Sequence, residues 1–95
     1  MAITVEVWSS LTAPEVEAQV LGVQIPTGVA TDPRFELLRW VDPWGDTVFN
    51  PAQCQQLSIE LKLLSPRPGS PLAAVHGLAA AVVAEPHTYL VFLGD

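Results

Sequence analysis

Asp42 and Asp46 stand four residues apart across an Asp-Pro-Trp-Gly turn, and His87 and Asp95 flank the last apolar segment of this 95-residue chain. Brought to one sheet edge, two or three carboxylates and an imidazole would suit a divalent metal or acid–base work. The same groups also have ordinary duties: Asp42 forms a turn, Asp46 orients the corner, and Asp95 is the last residue. Arg39, set in an apolar run, either pairs with a carboxylate (Glu6, Asp46 or Asp95) or faces solvent, and both readings stay open. Cys54 lies near a predicted helix start, where the helix dipole favours a thiolate, but a nucleophilic thiol needs a base, and only His76 and His87 are available. A buried structural thiol is the expected reading, and His76 is read as a core or interface histidine. The sequence has no glycine-rich phosphate loop, no Ser-His-Asp order and no His-x-x-x-His spacing.

The elements that must position these groups converge on Leu38 to Pro51, where two of the three tryptophans lie. Phe35 to Val41 is nearly continuous in apolar residues and predicts a buried strand, with Trp40 in the core. Asp42-Pro43-Trp44-Gly45 has Asp first, Pro second and Gly fourth, as a type I turn prefers. Thr47-Val48-Phe49 then leads to Asn50-Pro51, a helix start in which the Asn side chain accepts from orphan amides and Pro surrenders an N–H that had no partner. Ala52, Cys54, Leu57, Leu61 and Leu64 recur at three- and four-residue spacing, with Gln53, Gln56, Glu60 and Lys62 mostly elsewhere, so the helix is amphipathic and ends at Ser65-Pro66. After the linker Pro66 to Gly69, Ser70-Pro71 repeats the cap and opens a helix, Leu72 to Ala84. That helix is apolar nearly all round and so is expected to be buried on more than one face.

The flanking segments read as strands. Ile3, Val5 and Val7 alternate with Thr4, Glu6 and Trp8, and Ser9 to Pro14 is a turn. Glu15 to Ile25 fits a helix with a Thr12/Glu15 capping box, or a strand with a bulge at Leu21-Gly22; the alternation favours the strand. Pro26 to Pro33 is a loop, and Thr88 to Leu93 is a β-branched and aromatic strand.

Hydrophobic residues make up 49% of the chain and charged ones 15%, so the chain is not disordered, and its surplus apolar surface calls for a second copy or a partner. The net charge of −6, with only Arg34, Arg39, Lys62 and Arg67 as cations, argues against a phosphate-tracking nucleic-acid binder. An exposed Trp44 beside acids fits a protein-binding hot spot better than a base-stacking platform built with Trp8 and Trp40, because no basic groove accompanies it. One cysteine excludes an internal disulfide and a Cys-based zinc site. Met-Ala-Ile-Thr does not read as a signal peptide, and Ser70 to Ala84 is too short to span a bilayer. No membrane partner and a cytoplasmic setting are therefore expected.

Arg39-Trp40-Val41-Asp42-Pro43-Trp44-Gly45-Asp46-Thr47-Val48-Phe49-Asn50 and the ending Glu85-Pro86-His87-Thr88-Tyr89-Leu90-Val91-Phe92-Leu93-Gly94-Asp95 resemble a family of small bacterial proteins. That family carries an Arg-aromatic-aliphatic-Asp-Pro-aromatic-Gly-Asp-Thr-Val-Phe-Asn segment and a His-Thr-Tyr-Leu strand closing on Gly-Asp. The resemblance implies common descent and no particular activity.

The expected fold is a single α+β domain, an antiparallel sheet of three to five strands with two consecutive helices packed on one face. The last strand would be inserted beside an earlier one, in a direction the sequence leaves open. The expected function is that of a small acidic interaction or assembly protein, of the immunity-inhibitor or adaptor kind. It would need no cofactor and would bind itself or a basic protein through Trp44, Asp42, Asp46 and Arg39. The alternatives are a metal-dependent or acid–base enzyme at Asp42, Asp46, His87 and Asp95, and a purely structural oligomer subunit.

Overall fold

Alternation through Ile3-Thr4-Val5-Glu6-Val7-Trp8 produces strand β1 (Ile3–Trp8), whose Ile3, Val5 and Val7 point into the core. The computed structural model describes residues 3–12 and 15–94. Strand β2 (Val16–Val23) follows antiparallel to β1, so the strand reading of this segment holds. Ile3 faces Val23 and Val5 faces Val20, two steps on β1 against three on β2. The extra residue falls at Leu21-Gly22, and Gly22 adopts φ +69°, the left-handed conformation that a bulge of this kind asks of glycine. A second slip, between Val7↔Ala18 and Trp8↔Val16, makes Glu17 an extra residue on the same strand.

Strand β3 (Asp46–Phe49) leads into helix α1 (Pro51–Leu63), helix α2 (Pro71–Ala84) and strand β4 (Tyr89–Leu93). The sheet order is β2-β1-β4-β3, with every neighbouring pair antiparallel, and both helices lie on one face. The last strand is thus inserted between β1 and β3. Asn50 caps α1 as expected: its side chain accepts from the Gln53 amide, and the Gln53 side chain accepts from the Asn50 amide, a full capping box. Ser70 caps α2 through the Ala73 amide.

The core between helices and sheet holds Val5, Val23, Leu57, Leu61, Val75, Ala79, Val82, Leu90 and Phe92, with Phe49 packed edge-on to Phe92 at 5.6 Å. Each of these side chains lies on the face its 3.6- or 2-residue period assigns.

Four expectations need correction. Phe35 to Val41 is not a strand: it is a turn followed by a 3-10 helix (Leu38–Trp40). Phe35 in the turn and Leu38 in the helix are both buried, three residues apart, so the apolar run follows a spacing of three and not the alternation of a strand. Trp40 therefore points away from the core and is 73% exposed. Glu60, expected on the polar side of α1, is fully buried, while Ala52, expected on its apolar face, is exposed. Helix α2 packs on α1 and on the sheet through Val75, Ala79 and Val82, with Leu72 and Leu78 partly buried, and leaves Ala74, Gly77, Ala80, Ala81 and Ala84 exposed, so burial of that remaining face would have to come from another chain. The loop after β2 also contains a short 3-10 helix (Thr27–Thr31), whose Val29 joins the core.

Candidate functional site

The corner between the second 3-10 helix and α1 is built from the inside outward. A short helix leaves its first amides without partners, and here a side chain from α1 supplies them. Glu60 accepts from the Leu37 amide at 3.1 Å to each carboxyl oxygen and from the Leu38 amide at 2.9 Å, and Gln56 Nε2 donates to it at 3.0 Å. Phe35 and Leu38 anchor the same segment in the core.

The turn that follows is held at both ends. The Asp42 amide donates to Thr47 Oγ1 at 2.9 Å, the Trp44 amide donates to Asp42 Oδ1 at 2.8 Å, and the Gly45 amide reaches the Asp42 carbonyl at 3.4 Å. The turn-forming role read for Asp42 is thus the observed one. The end of β4 then clamps the turn, because the Gly94 amide donates to the Gly45 carbonyl at 2.9 Å. A Cβ at position 94 would lie 2.6 Å from the Pro43 carbonyl carbon and oxygen, so only glycine permits this approach.

On this scaffold Trp44 is 69% exposed, as expected, and Trp40 joins it as a second exposed indole. Asp42 and Asp46 are both exposed, with Asp46 opening β3 opposite Leu93. Arg39 is exposed and donates from Nη2 to the Ala30 carbonyl at 3.4 Å. Of its proposed carboxylate partners, Glu6 is engaged elsewhere: Trp8 Nε1 donates to it at 2.8 Å and Gln19 Nε2 at 2.6 Å. Among the described residues the ion pair that forms is Arg34–Asp32, at 2.8 Å and on the surface. The Arg34 guanidinium hydrogen-bonded to Asp32 holds that carboxyl below its usual range.

The structure does not bring His87 to Asp42 and Asp46. Asp46 pairs with Leu93 at one end of β4, and His87 precedes Tyr89 at the other. The four steps from Tyr89 to Leu93 alone span about 13 Å, far beyond what direct ligands of about 2.0–2.6 Å can bridge. No group of three His, Cys, Asp or Glu able to hold a metal exists among the described residues. Asp95, the fourth candidate, lies outside the described residues.

Trp8 is likewise remote from the other indoles, since it pairs across from Tyr89 while the Trp44 turn meets Gly94. A three-tryptophan stacking surface therefore does not form. Cys54 is buried, and that burial pushes its thiol up to about 11, in keeping with the structural reading of this residue. His76 is half-buried in α2.

Sequence reasoning missed Glu60 and the exposure of Trp40. For Glu60 the signal was its spacing: positions 57, 60, 61 and 64 share one helical stripe, and the charge alone argued against burial. For Trp40 the signal was the three-residue recurrence of Phe35, Leu38 and Val41. No helix among the described residues is long and apolar enough to cross a membrane. Comparison with protein-family models, curated proteins and solved structures returned no match.

Proposed function

We propose that this chain is a small interaction protein that docks a protein partner through the corner bearing Trp40, Asp42, Trp44 and Asp46, with Arg39 at its margin. One observation carries the reading: two indoles stand about 70% exposed on a helix–turn corner whose backbone is fixed by Glu60, Thr47 and Gly94. Rigid aromatic side chains are the usual energetic centres of protein interfaces. Covering about 150 Å2 of apolar surface on each ring would contribute about 4 kcal/mol gross per ring, before the cost of association. Asp42 and Asp46, on a chain of net charge −6, select a partner with a basic complementary surface. The mode of action is that of an adaptor or an immunity-type inhibitor that covers its partner's basic site. A cytoplasmic setting agrees with the free thiol of Cys54.

The test is affinity capture from extracts of the source cell with the native chain and with Trp40→Ala, Trp44→Ala and Asp46→Ala. Each substitution is expected to abolish capture of the same partner while leaving Tm within about 3 °C, because surface changes cost within about 0.5 kcal/mol. If the variants unfold, the corner is structural; if they capture the partner unchanged, the surface lies elsewhere.

A second reading, self-association, is favoured by the exposed small-residue face of α2 (Ala74, Gly77, Ala81, Ala84). Light scattering after size exclusion decides it, and a monomer at every concentration removes it.

A further inference from the structure

At the opposite end of β4 from the tryptophan corner, a cleft of about 660 Å3 opens between the C-terminus of α2 and the paired strands β1 and β2. Its apolar lining includes Val7, Ala18, Leu78 and Ala81, and Glu17, Glu85 and His87 are its ionisable lining. Three features of the fold make this arrangement. The slip in β2 inserts Glu17 beside Ala18, so the two line the same cleft although strict alternation would send them to opposite faces. Helix α2 ends here without a basic residue in its last turn, so no cation on the helix offsets the negative end of its dipole. Thr88 Oγ1 donates to the Glu85 carbonyl at 2.6 Å and reaches the Val82 carbonyl at 3.3 Å, which fixes the segment carrying Glu85 and His87 against the helix end. None of the four basic side chains of the protein lines the cleft.

We infer that this cleft receives an arginine side chain from a partner protein. The aliphatic stem of an arginine matches the apolar floor, and its guanidinium meets Glu17, Glu85 and the end of α2, the amphipathic pairing that long basic side chains favour. Arginine fits better than lysine because its planar fork can engage a carboxylate through two donors and is more weakly hydrated. An anionic or neutral ligand of the same size would leave both carboxylates without a counter-charge. The net charge of −6 adds a field that gathers cationic segments toward the site. The site shares no residue with the tryptophan corner, so each can fail without the other.

The experiment is a 15N-resolved NMR titration of the full chain with acetyl-arginine amide and, in parallel, with its neutral isostere acetyl-citrulline amide. The expected result is saturable shifts at the amides of Ala18, Leu78, Ala81 and Thr88 with the arginine probe. Binding of the citrulline probe is expected to be weaker by about fivefold, the size of two partly exposed charge contacts. The same loss is expected for the arginine probe in Glu17→Gln/Glu85→Gln, both exposed positions, while Trp44→Ala binds it like the native chain. Equal binding of the two probes, equal affinity in the double variant, or unsaturable shifts spread over the acidic surface would overturn the inference. The probe comparison on the native chain decides the matter even if the double variant folds poorly. A dependence on free arginine derivatives that a partner-like peptide, acetyl-Leu-Arg-Leu-amide, does not share would also overturn it, since the occupant inferred is a side chain on a protein.

Discussion

Glu60 and Glu6 are both carboxyl groups withdrawn from water, one on helix α1 and the other on strand β1, on the face of the sheet it shares with its partner Val91. Glu60 is fully buried and takes its hydrogen bonds from the backbone amides of Leu37 and Leu38 and from Gln56. Glu6 is 8% exposed and takes its bonds from two side chains, the Trp8 indole and the Gln19 amide. The difference lies in what happens to the donors when the acceptor is removed. Backbone amides locked in a short helix cannot turn to solvent, whereas Trp8 is only half-buried and Gln19 is exposed, so both can find water. The carboxyl on α1 is therefore what holds the tryptophan corner, and the one on β1 organises the side chains around it.

Glu60→Ala should break the comparison most forcefully. It orphans two amides at about 1–3 kcal/mol each, so a loss of about 3 kcal/mol and a fall in Tm of about 15 °C are expected by calorimetry. Glu60→Gln keeps one acceptor oxygen and should recover about half of that loss. If Glu60→Ala melts like the native chain, the corner is not held from within.

Next in size is Gly94→Ala, where a Cβ must displace the Pro43 backbone. A loss of about 2 kcal/mol in denaturant unfolding is expected, together with altered Trp44 fluorescence as the clamp on the turn opens. A silent Gly94→Ala would mean that the end of β4 yields easily and the indoles are not rigidly presented.

Glu6→Ala is expected to cost at most about 1 kcal/mol, because its donors regain water, and to change Trp8 fluorescence more than stability. A cost equal to that of Glu60→Ala would erase the distinction between the two regions.

At neutral pH the smallest effect is the one from Cys54, buried on the same helix as Glu60, which shows only as a pH dependence in alkali. Burial raises the Cys54 thiol from 9.0 to about 11, so the folded state retains a proton that the unfolded chain releases. The contribution is complete below pH 9 and is lost as pH rises from 9 to about 11. Urea unfolding across that window should show a decline in the native chain that is absent from Cys54→Ala.

Much of this architecture was legible because its causes are local. The alternation of β1, the bulge at Gly22, the Asp42-Pro43-Trp44-Gly45 turn, and the Asn50-Pro51 and Ser70-Pro71 caps each depend on residues within a few positions of one another. The four-stranded antiparallel sheet with two helices on one face followed from those pieces. Phe35 to Val41 was misread because an apolar run has no period of its own until something decides whether its amides join a ladder or a helix. Here Glu60, more than twenty residues away, decides it. The candidate site was half legible: Trp44, Asp42 and Asp46 stand exposed where the turn puts them, but Trp40 joins them only because the segment before the turn is helical. His87 and Asp95 flank the last strand, and joining His87 to Asp46 would require both to fall at one end of it; Asp46 pairs with Leu93, so the rise of β4 sets His87 at the other end.

By itself the sequence determined the two α-helices with their caps, the alternation of β1, the Asp42-Pro43-Trp44-Gly45 turn and the acidic, apolar-rich character of the chain, all of which rest on short-range sterics, local hydrogen bonds and composition. Tertiary structure alone decided three things. It placed β4 between β1 and β3, it recruited a glutamate from α1 to cap a distant 3-10 helix, and the same insertion of β4 set the cleft of Glu17 and Glu85 far from the tryptophan corner. Each of these turns on a buried polar group or a strand edge finding a partner remote in sequence, and no local pattern encodes which partner that will be.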